Sequence, residues 1–133
     1  MNIKATASFQ AGNWSRLEAK LVPLLTEGVG NAATAVLDIS RQLVPVDTGE
    51  LVSSGMTSVA WQGSSVNGFI SYSAGHAAFV EFGTGIRGAA SAGAGPYPYS
   101  ETWPGMVAQP YIRPALDLGR QEVLDAIKAA LGV

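Results

Sequence analysis

The residues best suited to chemistry by type and spacing are Asp47, Thr48 and Gly49. An Asp-Thr-Gly triplet in a short chain is how each half of a dimeric aspartic protease supplies one carboxylate. Two carboxylates that share a proton have pKa values pushed apart, which suits them to activate water. That geometry needs a buried strand before the triplet, whereas here a helical repeat and Pro45 precede it and a charged Glu50 follows. The sequence favours a helix-to-strand turn, with a small dimeric aspartic protease using Asp47 as the alternative.

A second string, from Gly83 to Gly88, fits the pattern G-x-G-x-x-G, and Glu101 follows eighteen positions after its first glycine. In dinucleotide-binding folds this pattern follows a strand and opens a helix, so that backbone N–H groups face a pyrophosphate. Residues 89 to 99 contain two glycines and two prolines, so no helix is expected there. The pattern therefore indicates a glycine-rich loop, with a nucleotide-binding module as a weaker alternative, and no cofactor is predicted.

Metal and thiol chemistry have few candidate residues in this chain. It contains no cysteine and a single histidine, His76. The spacing from His76 to Glu81 is one residue longer than the i, i+4 pair that binds a metal from one helical face. We therefore expect no metal site and no catalytic residue, and His76 is interpreted as a structural or interface residue.

Length and composition narrow the class of protein. The 133 residues are 47% hydrophobic and 14% charged, with a formal net charge of −2. A chain of this length buries one modest core, so a single domain over residues 1–133 is expected. Eight Lys and Arg against ten Asp and Glu leave no basic patch that would grip a phosphate backbone. The segment from Met1 to Phe9 lacks the apolar core of a signal peptide or membrane span. We therefore expect the protein to be made and kept in a cytoplasm and to have no membrane partner.

The segment before the Asp-Thr-Gly triplet is predicted to be helical. Asn13 can cap a short helix from Trp14 to Val22, which Pro23 ends or kinks. A main helix is predicted from Leu24 to Leu43, because apolar residues recur at helical spacing up to Pro45. The triplet is then expected just past the end of the main helix.

Strands are predicted on the other side of the triplet. The segments from Leu51 to Trp61 and from Asn67 to Tyr72 have strand character, and a turn from Gly63 to Ser65 joins them. They predict an antiparallel hairpin. The segment from His76 to Phe82 fits either a single helical turn or a short strand.

A long loop is predicted from Gly83 to Ala108, where six glycines, three prolines and two charged residues follow no periodic pattern. Trp103 in this loop is the best candidate to anchor a partner surface. Beyond it, Tyr111 to Arg113 is expected to be extended, and Pro114 opens a C-terminal helix to the chain end. The predicted class is α+β, with helices at both ends packed on a small antiparallel sheet and a long Gly/Ala/Pro-rich loop at about 83–108.

Three strings carry a family resemblance: Pro45 to Leu51, Phe79 to Gly85, and Gln109 to Leu116. In this order and spacing they resemble the tailed-phage neck and tail-completion family, minor virion proteins of the head–tail joining region. In that family a helix leads into a P-V-D-T-G-x-L turn, E-F-G-T precedes a variable loop, and P-[FY]-[IL]-R-P-A-[LI] opens the last helix. The resemblance covers residues 24 to 131.

The resemblance implies a structural virion protein without enzymatic activity. It implies a homo-oligomeric ring, hexameric or dodecameric, that joins the DNA-filled head to the tail and contacts head-closure or adaptor proteins and tail terminator or tube proteins. Genomic DNA would pass through the lumen without sequence-specific binding. The implied fold or interface determinants are Asp47, Thr48, Gly49, Glu81, Phe82, Gly83, Thr84, Tyr111 and Arg113.

Physical arguments agree with a ring subunit. A long loop that orders on its neighbours gains contact area at assembly. A slightly acidic lumen lets DNA slide, because it does not hold the phosphates. A cyclic ring requires a heterologous interface, in which one face of each subunit complements a different face of the next.

Overall fold

The computed structural model describes residues 1–8, 15–47 and 49–133. The predicted cap at Asn13, the helix start at Trp14 and Thr48 of the triplet lie outside these ranges. The elements in chain order are β1 (Asn2–Ser8), α1 (Ser15–Leu43), α2 (Glu50–Ser53), β2 (Gly55–Gln62), β3 (Ser65–Tyr72), α3 (Ala77–Phe82), α4 (Gly85–Ala90), α5 (Ile112–Leu118) and α6 (Arg120–Leu131). The predicted α+β class is confirmed.

The sheet is antiparallel, with strand order β1-β3-β2. The predicted hairpin is confirmed, since β2 pairs with β3 and Gln62 lies opposite Ser65. Gly63 in the turn has a φ of 59°, a conformation that glycine adopts at little cost. Strand β1 was not predicted. In its pairing with β3, Ile3 lies opposite Ile70. The strand has only seven residues, which is too few for its alternating pattern to be recognised in the sequence.

Helix α1 is continuous through Pro23, so the prediction of a separate helix before it is wrong. A proline inside a helix removes one N–H bond and crowds the carbonyl four residues earlier, but it leaves the other bonds of the helix intact. The main helix from Leu24 to Leu43 is confirmed as part of a 29-residue helix. Residues on both sides of Pro23 therefore belong to the same helix.

Helix α1 packs against the sheet on one side and against α6 on another. Both contacts depend on glycine, because a Cβ on Gly68 would lie 2.9 Å from Val29 and one on Gly28 would lie 3.0 Å from Ala130. These close approaches bring the elements around a buried cluster. Its members include Val36, Leu37, Val44, Leu51, Ile70, Tyr72, Tyr111, Ile112 and Ala115.

Strand β2 begins later than predicted, because the residues from Glu50 to Ser53 form the short helix α2. Gly49 enters this helix with a φ of 80°. The hydroxyl of Ser54 donates to the carbonyl of Leu51 at 2.9 Å, a local bond that competes with extended structure. Leu51 is thereby turned into the core, where it is 5% exposed.

The C-terminal half also differs from its prediction. The segment that fitted a helical turn or a strand is the helix α3, and the predicted loop at 83–108 contains the helix α4. The residues from Tyr111 to Arg113 are not an extended piece, since Ile112 is the first residue of α5. Gly119 separates α5 from α6, and a Cβ there would lie 2.9 Å from the carbonyl oxygen of Ala115 and 3.1 Å from side-chain atoms of α1. Within the described ranges, no helix combines the length and apolar character needed to cross a membrane.

Candidate functional site

The buried carboxylate of Glu81 joins the second and third strings of the sequence. Glu81 lies in α3 and is 0% exposed. One of its oxygens accepts the backbone N–H groups of Tyr111 at 2.7 Å and Ile112 at 3.0 Å. The other oxygen accepts the backbone N–H of Arg113 at 3.2 Å and its Nε at 2.9 Å. Glu81 therefore caps the start of α5, where free N–H groups favour a negative charge.

Arg113 completes this arrangement. Its guanidinium forms the ion pair with Glu81 and donates from Nη2 to the carbonyl of Glu81 at 3.0 Å and to that of Gly93 at 2.6 Å. The guanidinium carbon also lies 4.6 Å from the centre of the Phe82 ring. Through these contacts Glu81 and Arg113 connect α3 and the backbone of Gly93 to the start of α5.

Two buried tyrosines pack beside the Glu81 carboxylate. The rings of Tyr72 and Tyr111 meet edge to face with centroids 4.9 Å apart. Tyr111 donates its hydroxyl to the carbonyl of Ala77 at 3.1 Å, and the hydroxyl of Tyr72 lies 2.6 Å from that of Ser40. Burial raises the pKa of Tyr111 well above its usual value, and the Glu81 carboxylate raises it further. Burial also raises the pKa of Tyr72.

Backbone contacts within the chain hold the glycine string at 83–88 in place. Thr84 exchanges backbone hydrogen bonds with Met106, at 2.9 and 3.1 Å. The first N–H groups of α4 donate to the carbonyls of residues 103 and 104. Gly83 has a φ of 74°, and a Cβ there would lie 2.7 Å from the backbone nitrogen of Ala108. The expectation that no helix follows this string is wrong, but the preceding element is a helix and the α4 donors are occupied by the chain.

The long segment after α4 is anchored at several points. The hydroxyl of Tyr99 donates to the carbonyl of Phe82 at 2.8 Å and accepts the N–H of Gly95 at 2.6 Å. Gln109 donates its backbone N–H to the carbonyl of Val80 at 2.8 Å. The prediction of a long loop is therefore wrong for Gly85–Ala90, which form α4, and is confirmed for residues 91–105, which form no helix or strand but are fixed by these contacts.

The surface between these anchors carries exposed apolar side chains. Trp103 is 57% exposed and Phe79 is 56% exposed. They separate two grooves. An aromatic groove of about 420 Å³ also includes Tyr97 and Tyr99. An acidic groove of about 520 Å³ also includes Asp47.

The acidic groove brings all three strings together. The first string contributes Asp47, Gly49, Glu50 and Leu51, the second Phe79, Val80 and Thr84, and the third Gln109. Residues more than thirty positions apart in the chain thus line one concave surface. The three strings converge on a groove that has an apolar rim and carboxylates along one side.

Asp47 itself lies on an exposed stretch just after α1. The element before it is this helix, and the next strand, β2, starts at Gly55. His76 is exposed and also lines the acidic groove. Among the described residues, no group of three or more His, Cys, Asp or Glu side chains could hold a metal ion.

The sequence reasoning missed three members of this site. Phe79 lies within the second string, and its 56% exposure makes it as prominent as Trp103. Tyr99 and Gly93 hold the long segment, and their roles depend on contacts that have no sequence signature.

Comparisons with protein-family models, with curated proteins and with solved structures found no match for this chain.

Proposed function

We propose that this chain is a structural virion protein of a tailed phage or prophage. It forms a ring in the neck that joins the DNA-filled head to the tail and lines the DNA passage. The proposal assigns it no enzymatic activity, and its partners are copies of itself and the neighbouring head-closure and tail proteins. Its place is the virion, after synthesis in the host bacterial cytoplasm.

The observation that carries the proposal is the convergence of the three strings on the acidic groove. The resemblance to neck proteins rests on these same strings. Residues that served only to hold the fold together would be buried. Val46 and Phe79 of these strings are instead 72% and 56% exposed, and Trp103 nearby is 57% exposed. Exposed apolar side chains grouped around a groove are typical of protein interaction surfaces.

The inner residues of the strings support a subunit whose shape is fixed before assembly. Glu81 and Arg113 lock α3 to α5, and Thr84 locks the start of α4 to Met106. A rigid scaffold lowers the entropy lost when a surface docks on a partner. The groove is therefore ready to bind without folding on contact.

The charge of the chain suits a DNA passage. A formal net charge of −2 gives a ring with a weakly repulsive field toward phosphates. DNA would then move through the lumen without being held. Such a passage needs no base-specific contacts.

The test is deletion of the gene from the phage or prophage that carries it. Electron micrographs of the lysate should show filled heads and separate tails, and a plasmid copy of the gene should restore joined particles. A plasmid copy that carries a stop codon early in the gene serves as the matched control. Normal virions in the deletion lysate would refute the proposed function.

A further inference from the structure

Strand β2 forms one outer edge of the sheet, and its alternate residues point their backbone groups away from β3. Just after β3, the N–H of Ser73 donates to the carbonyl of Ser54 at 3.3 Å. Since bonding alternates along an antiparallel pair, the even-numbered residues of β2 bond to β3 and the odd-numbered residues point outward. Gly55 agrees with this direction, because its carbonyl accepts Nη2 of Arg41 from α1 at 3.0 Å.

Thr57 and Val59 are the next two residues whose N–H and C=O groups point outward. Among the described residues, none bonds to these outward groups. Edge strands of natural proteins are usually protected by charged side chains, by proline or by a bulge. Strand β2 has no charged residue and no proline, and its eight residues pair one to one with β3. It therefore offers an unprotected edge to another strand.

Strand β1 forms the opposite edge of the sheet. Ile3 and Ala5 lie opposite the residues of β3 that do not bond to β2, so they bond to β3, and Asn2, Lys4 and Thr6 point their backbone groups outward. With seven residues, β1 matches β2 in length. The side chain of Lys4 is exposed near the middle of β1.

The charge of Lys4 favours β2 over a second β1 as the neighbour of β1. Two β1 strands that overlapped antiparallel would bring their lysines close together, and like charges across a strand pair are destabilising. The exposed face of β2 is uncharged and presents no repulsion to a lysine. Its members are Met56, Ser58, Ala60 and Gln62.

The two edges cannot meet within one chain, because β3 lies between them. Lys4 and Ser58 both lie opposite Phe69, so about 9–10 Å, or two strand spacings, separates their Cα atoms. A second copy of the chain brings a β1 edge to each β2 edge. Contact between two different surfaces on identical subunits is the heterologous arrangement that closes into rings, and a closed ring leaves neither edge open.

We propose that β2 of one copy pairs with β1 of the next copy, so that the sheets of neighbouring copies join into one continuous sheet around a ring. The two strands run parallel, because both are antiparallel to β3 and all copies in a ring share one direction. The outward groups of Thr57 and Val59 bond to the backbone of β1. This contact rests on the proposed function and names the interface that forms its ring.

Disulfide trapping tests the contact directly, because the chain has no cysteine of its own. Lys4→Cys is combined in turn with Met56→Cys, Ser58→Cys or Ala60→Cys, which samples the registers that keep these side chains on one face. The pair at 4 and 58 cannot close within one chain, since a disulfide needs Cα atoms within about 7 Å. After mild oxidation of the purified chain, one combination should give a ladder of dimers, trimers and larger species on a non-reducing gel.

Two kinds of control accompany the trapping. Lys4→Cys with Ala129→Cys, an exposed position on α6, is the matched double variant and should give no ladder. A chain with Ser58→Cys alone can form at most a dimer, and it forms that dimer efficiently only if two β2 strands pair with each other. Circular dichroism spectra matching the unsubstituted chain show that each variant is folded.

Backbone measurements test which residues form the contact. Thr57→Pro removes an outward N–H, which an edge strand tolerates, and should abolish the ladder while the chain stays folded. Amide hydrogen exchange needs no substitution. The amide of Val59 should exchange rapidly in the dilute chain and about tenfold or more slowly after assembly, whereas that of Ser58, which donates to β3, should be slow in both states.

The outcomes separate this contact from the proposed function. Absence of a ladder at high protein concentration overturns the contact, as do a ladder equally strong in the α6 control, efficient dimers from Ser58→Cys alone, or unchanged exchange at Val59. If deletion of the gene still gives filled heads and separate tails, the neck function stands while the contact falls. A specific ladder together with normal virions in the deletion lysate would instead overturn the function alone.

Discussion

Replacing Glu81 by glutamine changes one oxygen of a fully buried carboxylate into an amide nitrogen. In the native chain each oxygen of Glu81 accepts two N–H donors. Whichever way the new side-chain amide turns, its NH2 group must face two donors. The substitution therefore leaves two donors without an acceptor and removes the negative charge that pairs with Arg113.

The expected loss follows from these contacts. Each buried donor left without a partner costs about 1–3 kcal/mol, and breaking a buried ion pair by changing one member costs about 3–5 kcal/mol in all. Since Arg113 is 38% exposed and regains some hydration, we expect the lower part of that range, about 3–4 kcal/mol. For a chain of this size the midpoint of thermal unfolding should fall by about 10–15 °C.

Urea unfolding followed by circular dichroism measures this change in the free energy of unfolding. Glu101→Gln is the matched control, because Glu101 is exposed in the same half of the chain and its replacement should cost less than about 0.5 kcal/mol. A second readout is local: loss of the Glu81 charge should lower the pKa of Tyr111, measured by tyrosinate absorbance. A loss below about 1 kcal/mol for Glu81→Gln would refute the assigned role of Glu81 as the cap of α5.

Burial raises the pKa values of Tyr72 and Tyr111, so the folded chain keeps protons that the unfolded chain loses above about pH 10; the free energy of unfolding should fall there by about 1.4 kcal/mol per pH unit for each tyrosine. Tyr111→Phe should remove one of these contributions, and equal slopes in the two chains would contradict the assignment. Gly83→Ala should cost about 2–4 kcal/mol in urea unfolding, whereas Gly49→Ala, with a φ of 80° and no atom within 4 Å, should cost only about 1 kcal/mol, so equal losses would count against the close approach at Gly83. Trp103→Ala should change the free energy of unfolding by less than about 0.5 kcal/mol and still lower the infectious titre when it complements the gene deletion; a full titre would argue against Trp103 as an interface residue.

The parts of the fold that sequence predicted best are those with a long, regular period. The hairpin of β2 and β3 and the segment from Leu24 to Leu43 were predicted because many residues repeat the same pattern. Strand β1 was missed because it is short, and its identity as a strand comes from pairing with β3, which is more than fifty residues away. Pro23 does not end α1, since the loss of one helical hydrogen bond is offset by the bonds that continue on both sides.

The sequence predicted several residues of the candidate site but not the contacts between them. Glu81, Tyr111 and Arg113 were singled out through the family resemblance, and the structure brings them together in one hydrogen-bonded group. The contacts of the segment at 83–108 were missed, because glycine and proline composition does not distinguish a loose loop from one fixed by close backbone packing. Gly83 is such a case, since its freedom is used to let Ala108 and Met106 approach.

The link between Glu81 and the start of α5 also governs when this chain can fold during synthesis. The carboxylate meets its four donors only after residue 113 has left the ribosome, thirty-two positions later than Glu81 itself. Until then, burying Glu81 would leave a charge without partners, so the core around Tyr72 has no stable form in the nascent chain. The groove that the three strings line is therefore complete only in chains that extend past residue 113.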